Sequence, residues 1–163
     1  MIKEIKTILY ATDLSNTSVY AFRYAVCLAR ALDARLHILH AVEPMSQDAR
    51  TTLQFFISDP RLREEALNRR FENARDLLNE RQEGFWAQMP LDEKVLRDRV
   101  DEIEVIEGFA AEAILRRAES LPADMILMGS HAHGISHTFL GTVAKRVLRR
   151  ARIPTLIVPY AED

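Results

Sequence analysis

The chain predicts an α/β fold: a three-layer sandwich around a five-stranded parallel sheet of order 3-2-1-4-5. Three observations lead there. Short apolar runs of strand length alternate with amphipathic stretches of helical length, an alternation that demands parallel pairing through right-handed crossovers. Charge and proline fall on two of the five runs and mark them as edges. Three of the five glycines, Gly129, Gly134 and Gly141, gather between one apolar run and the helix after it.

The first strand is the apolar run 7–12, which ends at Asp13; Ser15 or Asn16 then offers a cap for a helix carrying Phe22, Ala25, Val26, Ala29 and Leu32 on one face. Residues 36–42 form the second strand, stopped by Pro44. A long helix spans 60 to about 81, with Leu67, Phe71, Ala74 and Leu78 along one stripe and charges such as Glu65 and Arg69 on another. The third strand is 103–106, where Glu102 and Glu104 alternate with Ile103 and Val105. A helix over 110–120, a strand over 125–128, a helix over 142–151 and a strand over 155–158 complete the series. The first and fourth runs carry the least charge and belong at the centre. The glutamates of the third, and the Pro154 and Pro159 that bracket the fifth, put those at the edges. In that order the connections of strands one and four leave in opposite directions, opening a crevice at their carboxyl ends where Asp13 and Gly129 fall.

At 163 residues, 48% hydrophobic and 28% charged, the chain is read as one domain, 1–163, with a long connection at about 43–101 between strands two and three. A formal net charge of −2 gives no global attraction to nucleic acid or to an anionic membrane. The basic run Lys145, Arg146, Arg149, Arg150 and Arg152 lies near a helix C-terminus, where cations suit the dipole; Lys145, one turn in, could reach a phosphate held at Thr142. The single cysteine, Cys27, reads as inert packing on the apolar face of the first helix. With no apolar leader and no run long enough to span a bilayer, the expectation is a cytoplasmic chain.

The segment from Gly129-Ser130 to Gly141-Thr142 is where a phosphate is expected, because a helix N-terminus offers unpaired N–H donors and the positive end of its dipole, and glycine permits close approach. The competing reading is a connection that needs glycine for its turn and Thr142 as a cap. No Gly-x-x-x-x-Gly-Lys-[Ser/Thr] and no Gly-x-Gly-x-x-Gly after the first strand is present, which excludes an ordinary P-loop ATPase or NAD enzyme. Asp13 suits a ribose hydroxyl or a Mg²⁺ beside phosphates, or the capping of the next turn. His131, His133 and His137 raise the question of zinc, but their spacing matches no standard ligand pattern, and they read as solvated or phosphate-facing. His37 and His40 read as structural. The stretches 53–57 and 84–86 read as a lid, a partner surface or core, with nothing to choose among them.

The run 8–15 (Ile-Leu-Tyr-Ala-Thr-Asp-Leu-Ser), Gly108 before the 110–120 helix, and Met128-Gly129-Ser130-His131 through Gly141-Thr142-Val143-Ala144 resemble the universal stress protein family over essentially the whole chain. The resemblance implies the adenine nucleotide alpha hydrolase-like sandwich and a homodimer through the last strand, Thr155–Val158. It also implies an ATP-binding branch marked by Gly-x-x-Gly, nine residues, then Gly-[Ser/Thr]. By position, Asp13 would meet the ribose, the backbone of Val42 would line the adenine pocket, and Gly129, Ser130, His131, Gly141, Thr142 and Val143 would hold phosphates. The chain departs from that pattern twice: Ala132 replaces the second glycine, and eight residues rather than nine precede Gly141. The expectation is a stress-response protein that binds ATP, with Mg²⁺ where the nucleotide brings it, or AMP or ADP, and that signals to protein partners. It would be a binder rather than an efficient enzyme, at most a slow ATPase. Two alternatives stand beside it: a dimeric interaction protein without nucleotide, and a phosphoryl-transfer enzyme using His131 or His133.

Overall fold

The computed structural model describes residues 2–130 and 140–160. Strands β1 (Thr7–Ala11), β2 (Arg35–Val42), β3 (Val100–Glu107), β4 (Met125–Gly129) and β5 (Thr155–Val158) form one sheet in the order β3-β2-β1-β4-β5, every neighbouring pair parallel. Helices α1 (Ser18–Leu32), α2 (Gln47–Phe56), α3 (Pro60–Ala87), α4 (Ala110–Ser120) and α5 (Thr142–Arg150) accompany it, and a 3-10 segment, Lys94–Arg99, leads into β3. The sheet order is the expected one.

The alternation of side chains along each strand divides the core into two layers. One face carries Ile8, Tyr10, Leu36, Ile38 and Leu127 against Phe22 and Ala25 of α1 and Leu78, Phe85 and Trp86 of α3. The other carries Leu9, Ala11, Leu39, Ile126 and Met128 against Ile114 and Ala118 of α4 and Ala144 and Val147 of α5. Because β1 and β4 are covered on both faces, their runs are continuously apolar rather than alternating. Each fully buried leucine or isoleucine here contributes roughly 1.5–3 kcal/mol.

Several local expectations are corrected. Neither Ser15 nor Asn16 caps α1: Thr17 holds that position without a side-chain cap, while the Ser18 amide and hydroxyl both donate to the Ser15 carbonyl, at 3.2 and 2.7 Å. Cys27 is exposed, not packed, because the buried face of α1 is Ala21, Phe22, Ala25, Val26 and Ala29, and position 27 turns away from it. Leu32, in the last turn, is exposed as well. The helix stops where Asp33 adopts a left-handed conformation, φ 51°, ψ 45°. The α3 helix runs through Gly84 to Ala87 because Phe85 and Trp86 pack edge-on against each other and on Phe22, with centroids 4.6 Å apart for Phe22–Phe85 and 5.0 Å for Phe85–Trp86. Trp86 Nε1 donates to Gln82 Oε1 at 3.3 Å, pairing the indole's polar edge inside the layer. In the stretch 84–86, Phe85 and Trp86 are therefore core, while Gly84 is exposed. Stretch 53–57 is not core, since Phe55 and Phe56, at the end of α2, are 83% and 85% exposed.

Candidate functional site

Above the carboxyl ends of β1 and β4 lies a cavity of about 600 Å³, at the place where the strand order reverses. Its walls include the β1–α1 turn with Thr12, Asp13 and Ser15, the end of β2 with His40, Ala41 and Glu43, the end of β4 with Gly129 and Ser130, and the start of α5 with Gly141, Thr142 and Val143. Six of the residues singled out from the sequence, Asp13, Gly129, Ser130, Gly141, Thr142 and Val143, thus share one wall system. Val42 does not line it; its neighbours Ala41 and Glu43 do, and its carbonyl accepts the Gly108 amide at 3.0 Å. His131, His133 and His137, with Ala132 and Gly134, lie outside the described residues. Lys145 is exposed and does not line the cavity.

The donor assignment around residue 141 changes. The Gly141 amide donates to the Ser130 carbonyl at 3.1 Å, and the Ser130 amide to the Val158 carbonyl at 3.0 Å, so both main-chain groups stitch the walls together. Among the described residues nothing accepts the amides of Thr142 and Val143, the first two of α5. Nor does either glycine need unusual backbone freedom. Gly141 sits at φ −62°, ψ 162°, open to any residue, and a Cβ on Gly129 would meet Ala21 Cβ at 3.8 Å, an ordinary contact. What Gly129 supplies is the absence of a side chain between Ala21 and Val158, both of which line the cavity.

The β1–α1 turn is built by side chains. Asp13 Oδ1 accepts the Ser15 amide at 2.9 Å, so the local capping reading of this aspartate holds while its exposed carboxylate still lines the cavity. Thr12 Oγ1 accepts the Leu14 amide at 3.1 Å, and Leu14 takes φ 60°, a conformation that costs a leucine roughly 1 kcal/mol or more. In the same wall, the Tyr10 hydroxyl donates to the Ser18 carbonyl at 2.9 Å, and burial pushes this phenol far above the ordinary tyrosine value. It therefore stays neutral.

Sequence reasoning missed two wall features. Tyr20 and Tyr160 line the cavity with their rings edge-on, centroids 5.9 Å apart, joining the α1 wall to the segment after β5. No periodicity marks residue 160, which lies beyond the last strand. His40, read as structural, also lines the cavity. The structural reading does hold for His37, on the opposite face of β2. Its Nε2 lies 2.9 Å from Glu104 Oε2 and its Nδ1 3.7 Å from Glu102 Oε2, while Arg117 Nε donates to Glu104 at 2.7 Å. Burial alone would raise the Glu104 carboxyl, but the hydrogen bonds from His37 and Arg117 outweigh it and hold the group below its usual value. A cation bound by these carboxylates would have to displace the Arg117 guanidinium, and the two His37 nitrogens face different glutamates. The cluster ties α4 to the β2–β3 edge.

The universal stress protein family model matches residues 4–159. A universal stress protein from Thermus aquaticus, named for its place in a QAH/OAS sulfhydrylase 3′ region, is 33% identical over 94% of this chain and 98% of its own. Universal stress protein G of Escherichia coli O157:H7 is 30% identical over 94% and 98%. Among solved structures, MJ0577, known as a protein from Methanocaldococcus jannaschii, superposes with a TM-score of 0.70 at 24% identity over 99% of this chain and 100% of that one. A universal stress protein in complex with cAMP superposes at 0.61 and 22% identity, over 98% and 100%. With a family match over nearly its full length and relatives that align end to end, this chain belongs to the universal stress protein family.

Proposed function

We propose that the protein binds ATP or a related adenine nucleotide as a regulatory ligand in the cavity at the β1/β4 switch point, and transmits its occupancy to protein partners. The observation that carries this reading is the convergence of Asp13, Gly129, Ser130, Thr142 and Val143 on one cavity of about 600 Å³, a volume suited to a nucleotide. The residues present fit such a ligand. Thr142 and Val143 offer amide donors at the positive end of α5, and Thr12, Ser15, Thr17, Ser18 and Thr142 bring hydroxyls to the wall. Leu39, Ala110, Ile114 and Met128 give an apolar bed for a base. The cAMP complex of a protein with this fold supports an adenine ring as the ligand class. Mg²⁺ accompanying phosphates would find the Asp13 carboxylate at the mouth. We further propose a homodimer through β5.

Thermal unfolding with and without Mg-ATP tests the reading. At a hundredfold excess over Kd the nucleotide adds about 2.7 kcal/mol, a midpoint rise of roughly 5 to 10 °C for a chain of this size. Thr142→Val, which removes the hydroxyl at nearly constant volume, is expected to keep the unliganded midpoint and weaken binding about tenfold. No shift at millimolar nucleotide counts against the reading. It would favour the alternative of an interaction protein, to which the exposed Phe55 and Phe56 at the tip of α2 lend an observation.

A further inference from the structure

His40 stands at the carboxyl end of β2, and the proposed function uses neither of its ring nitrogens. Nδ1 lies 2.8 Å from the Thr12 carbonyl oxygen. A carbonyl only accepts, so Nδ1 carries the hydrogen of that bond, and in the neutral ring Nε2 is left with a lone pair. Among the described residues this is the one hydrogen bond the ring makes, and no buried side-chain nitrogen or oxygen lacks a partner. Nε2 is therefore reached by solvent. The ring is half-buried and His40 lines the cavity, which puts that space beside the unpartnered nitrogen.

The ring is also prevented from presenting its other nitrogen. Thr12 is fixed on three sides: its amide donates to Leu39 at 2.9 Å, its hydroxyl oxygen accepts Leu14 at 3.1 Å, and its carbonyl accepts His40. Turning Nδ1 toward the cavity would break the bond that anchors the Asp13 turn. The hydroxyls of Thr12, Ser15 and Thr17 can donate or accept as a ligand requires. Neutral His40 Nε2 can only accept, and that makes it discriminating.

We infer that His40 is a specificity-determining residue, whose Nε2 accepts a hydrogen bond from a donor on the ligand: the exocyclic amine of an aminopurine or a hydroxyl of its sugar. This rests on the nucleotide reading. A ligand with a carbonyl, or nothing, at that point leaves the lone pair unpaired, and sites built around such a pair reject the analogue.

Calorimetric titration of the full chain with the Mg²⁺ complexes of ATP, ITP, 2′-deoxy-ATP and 3′-deoxy-ATP, for the wild type and His40→Asn, tests it. The asparagine amide can take the place of Nδ1–H on Thr12 but puts nothing at Nε2. The wild type is expected to bind ATP about tenfold tighter than one of the three analogues, with ITP identifying the amine and a deoxynucleotide the hydroxyl. His40→Asn is expected to bring that ratio close to one. An unchanged ratio in the folded variant overturns the inference and leaves the nucleotide reading standing, whereas a wild type that binds none of the four removes both. If His40→Asn fails to fold, long-range ¹H–¹⁵N correlation on the wild type decides. The Nε2 resonance must move with ATP and not with the discriminated analogue; if it stays still, the inference fails.

Discussion

Asp124, at the entry to β4, shows how one carboxylate can fix the start of a parallel pair. Its Oδ2 accepts the amides of Lys6 at 2.9 Å and Thr7 at 3.0 Å, and Lys3 Nζ lies 2.9 Å from Oδ1. The hydrogen bond from Lys3, joined by the two amides, outweighs the opposing effect of burial and holds this carboxyl below the ordinary aspartate value. The sign follows: a group whose value is lowered in the folded state adds stability in full above its unfolded value, and that contribution is lost as pH falls through the lowered one. Glu104 acts in the same direction. Asp124→Asn is expected to cost about 1–2 kcal/mol at pH 7, a gap that shrinks as pH drops below about 4. Urea midpoints of both proteins at neutral and acid pH measure it; a gap independent of pH would mean the amides, not the charge, carry the effect. At this scale the sequence exposed residue types but not their partners. Asp13 and Thr142 could be placed from their positions after a strand and at a helix start. That the Gly141 amide is taken by Ser130, or that His40 faces the cavity, depends on contacts between residues distant in the chain.

The elements were most legible where one period runs unbroken. The bounds of β5 and α4 and the start of α5 coincide with expectation, since each is flanked by proline, glycine or a sharp change of polarity. In the long connection the signals conflicted. Ser46 caps α2, accepting the Ala49 amide at 3.2 Å, yet the helix has no buried residue, so no apolar stripe announced it. The β3 strand begins three residues before expectation, at Val100, where a register shift opposite Leu36 and His37 hides the alternation. Gly84 concealed the end of α3, since glycine costs a helix interior about 1 kcal/mol relative to alanine, while burial of Phe85 and Trp86 contributes several times that. The same comparison yields a prediction. A Cβ on Gly84 would meet nothing within 4 Å, so Gly84→Ala should stabilise the protein by about 0.5–1 kcal/mol. An upward shift of the denaturation midpoint with unchanged slope is the expected result; a downward one would show that α3 needs the freedom of glycine there.

For the molecule as a whole, the open question set by the sheet is what covers its β5 edge. The other edge, β3, carries charge along it, with Arg35 of β2 paired to Asp101 and Glu104 to Arg117, so a strand added there would meet ionic side chains. The β5 edge lacks that protection: Thr155–Val158 has no charged residue, Leu156 is 36% exposed, and Tyr160, just after the strand, is 42% exposed. Two copies paired antiparallel about a two-fold axis would satisfy the unpaired backbone groups of this strand and cover these side chains together. The arrangement would also bear on the cavity, because Val158 and Tyr160 belong to its wall and the Val158 carbonyl holds Ser130. Light scattering at micromolar concentration is expected to give twice the chain mass. Leu156→Lys, which places like charges across the axis, should give a monomer with unchanged far-ultraviolet circular dichroism. A wild-type monomer would leave the β5 edge open in solution, and a Leu156→Lys dimer would move the interface elsewhere; only loss of the dimer in the variant ties association to the edge that also walls the cavity.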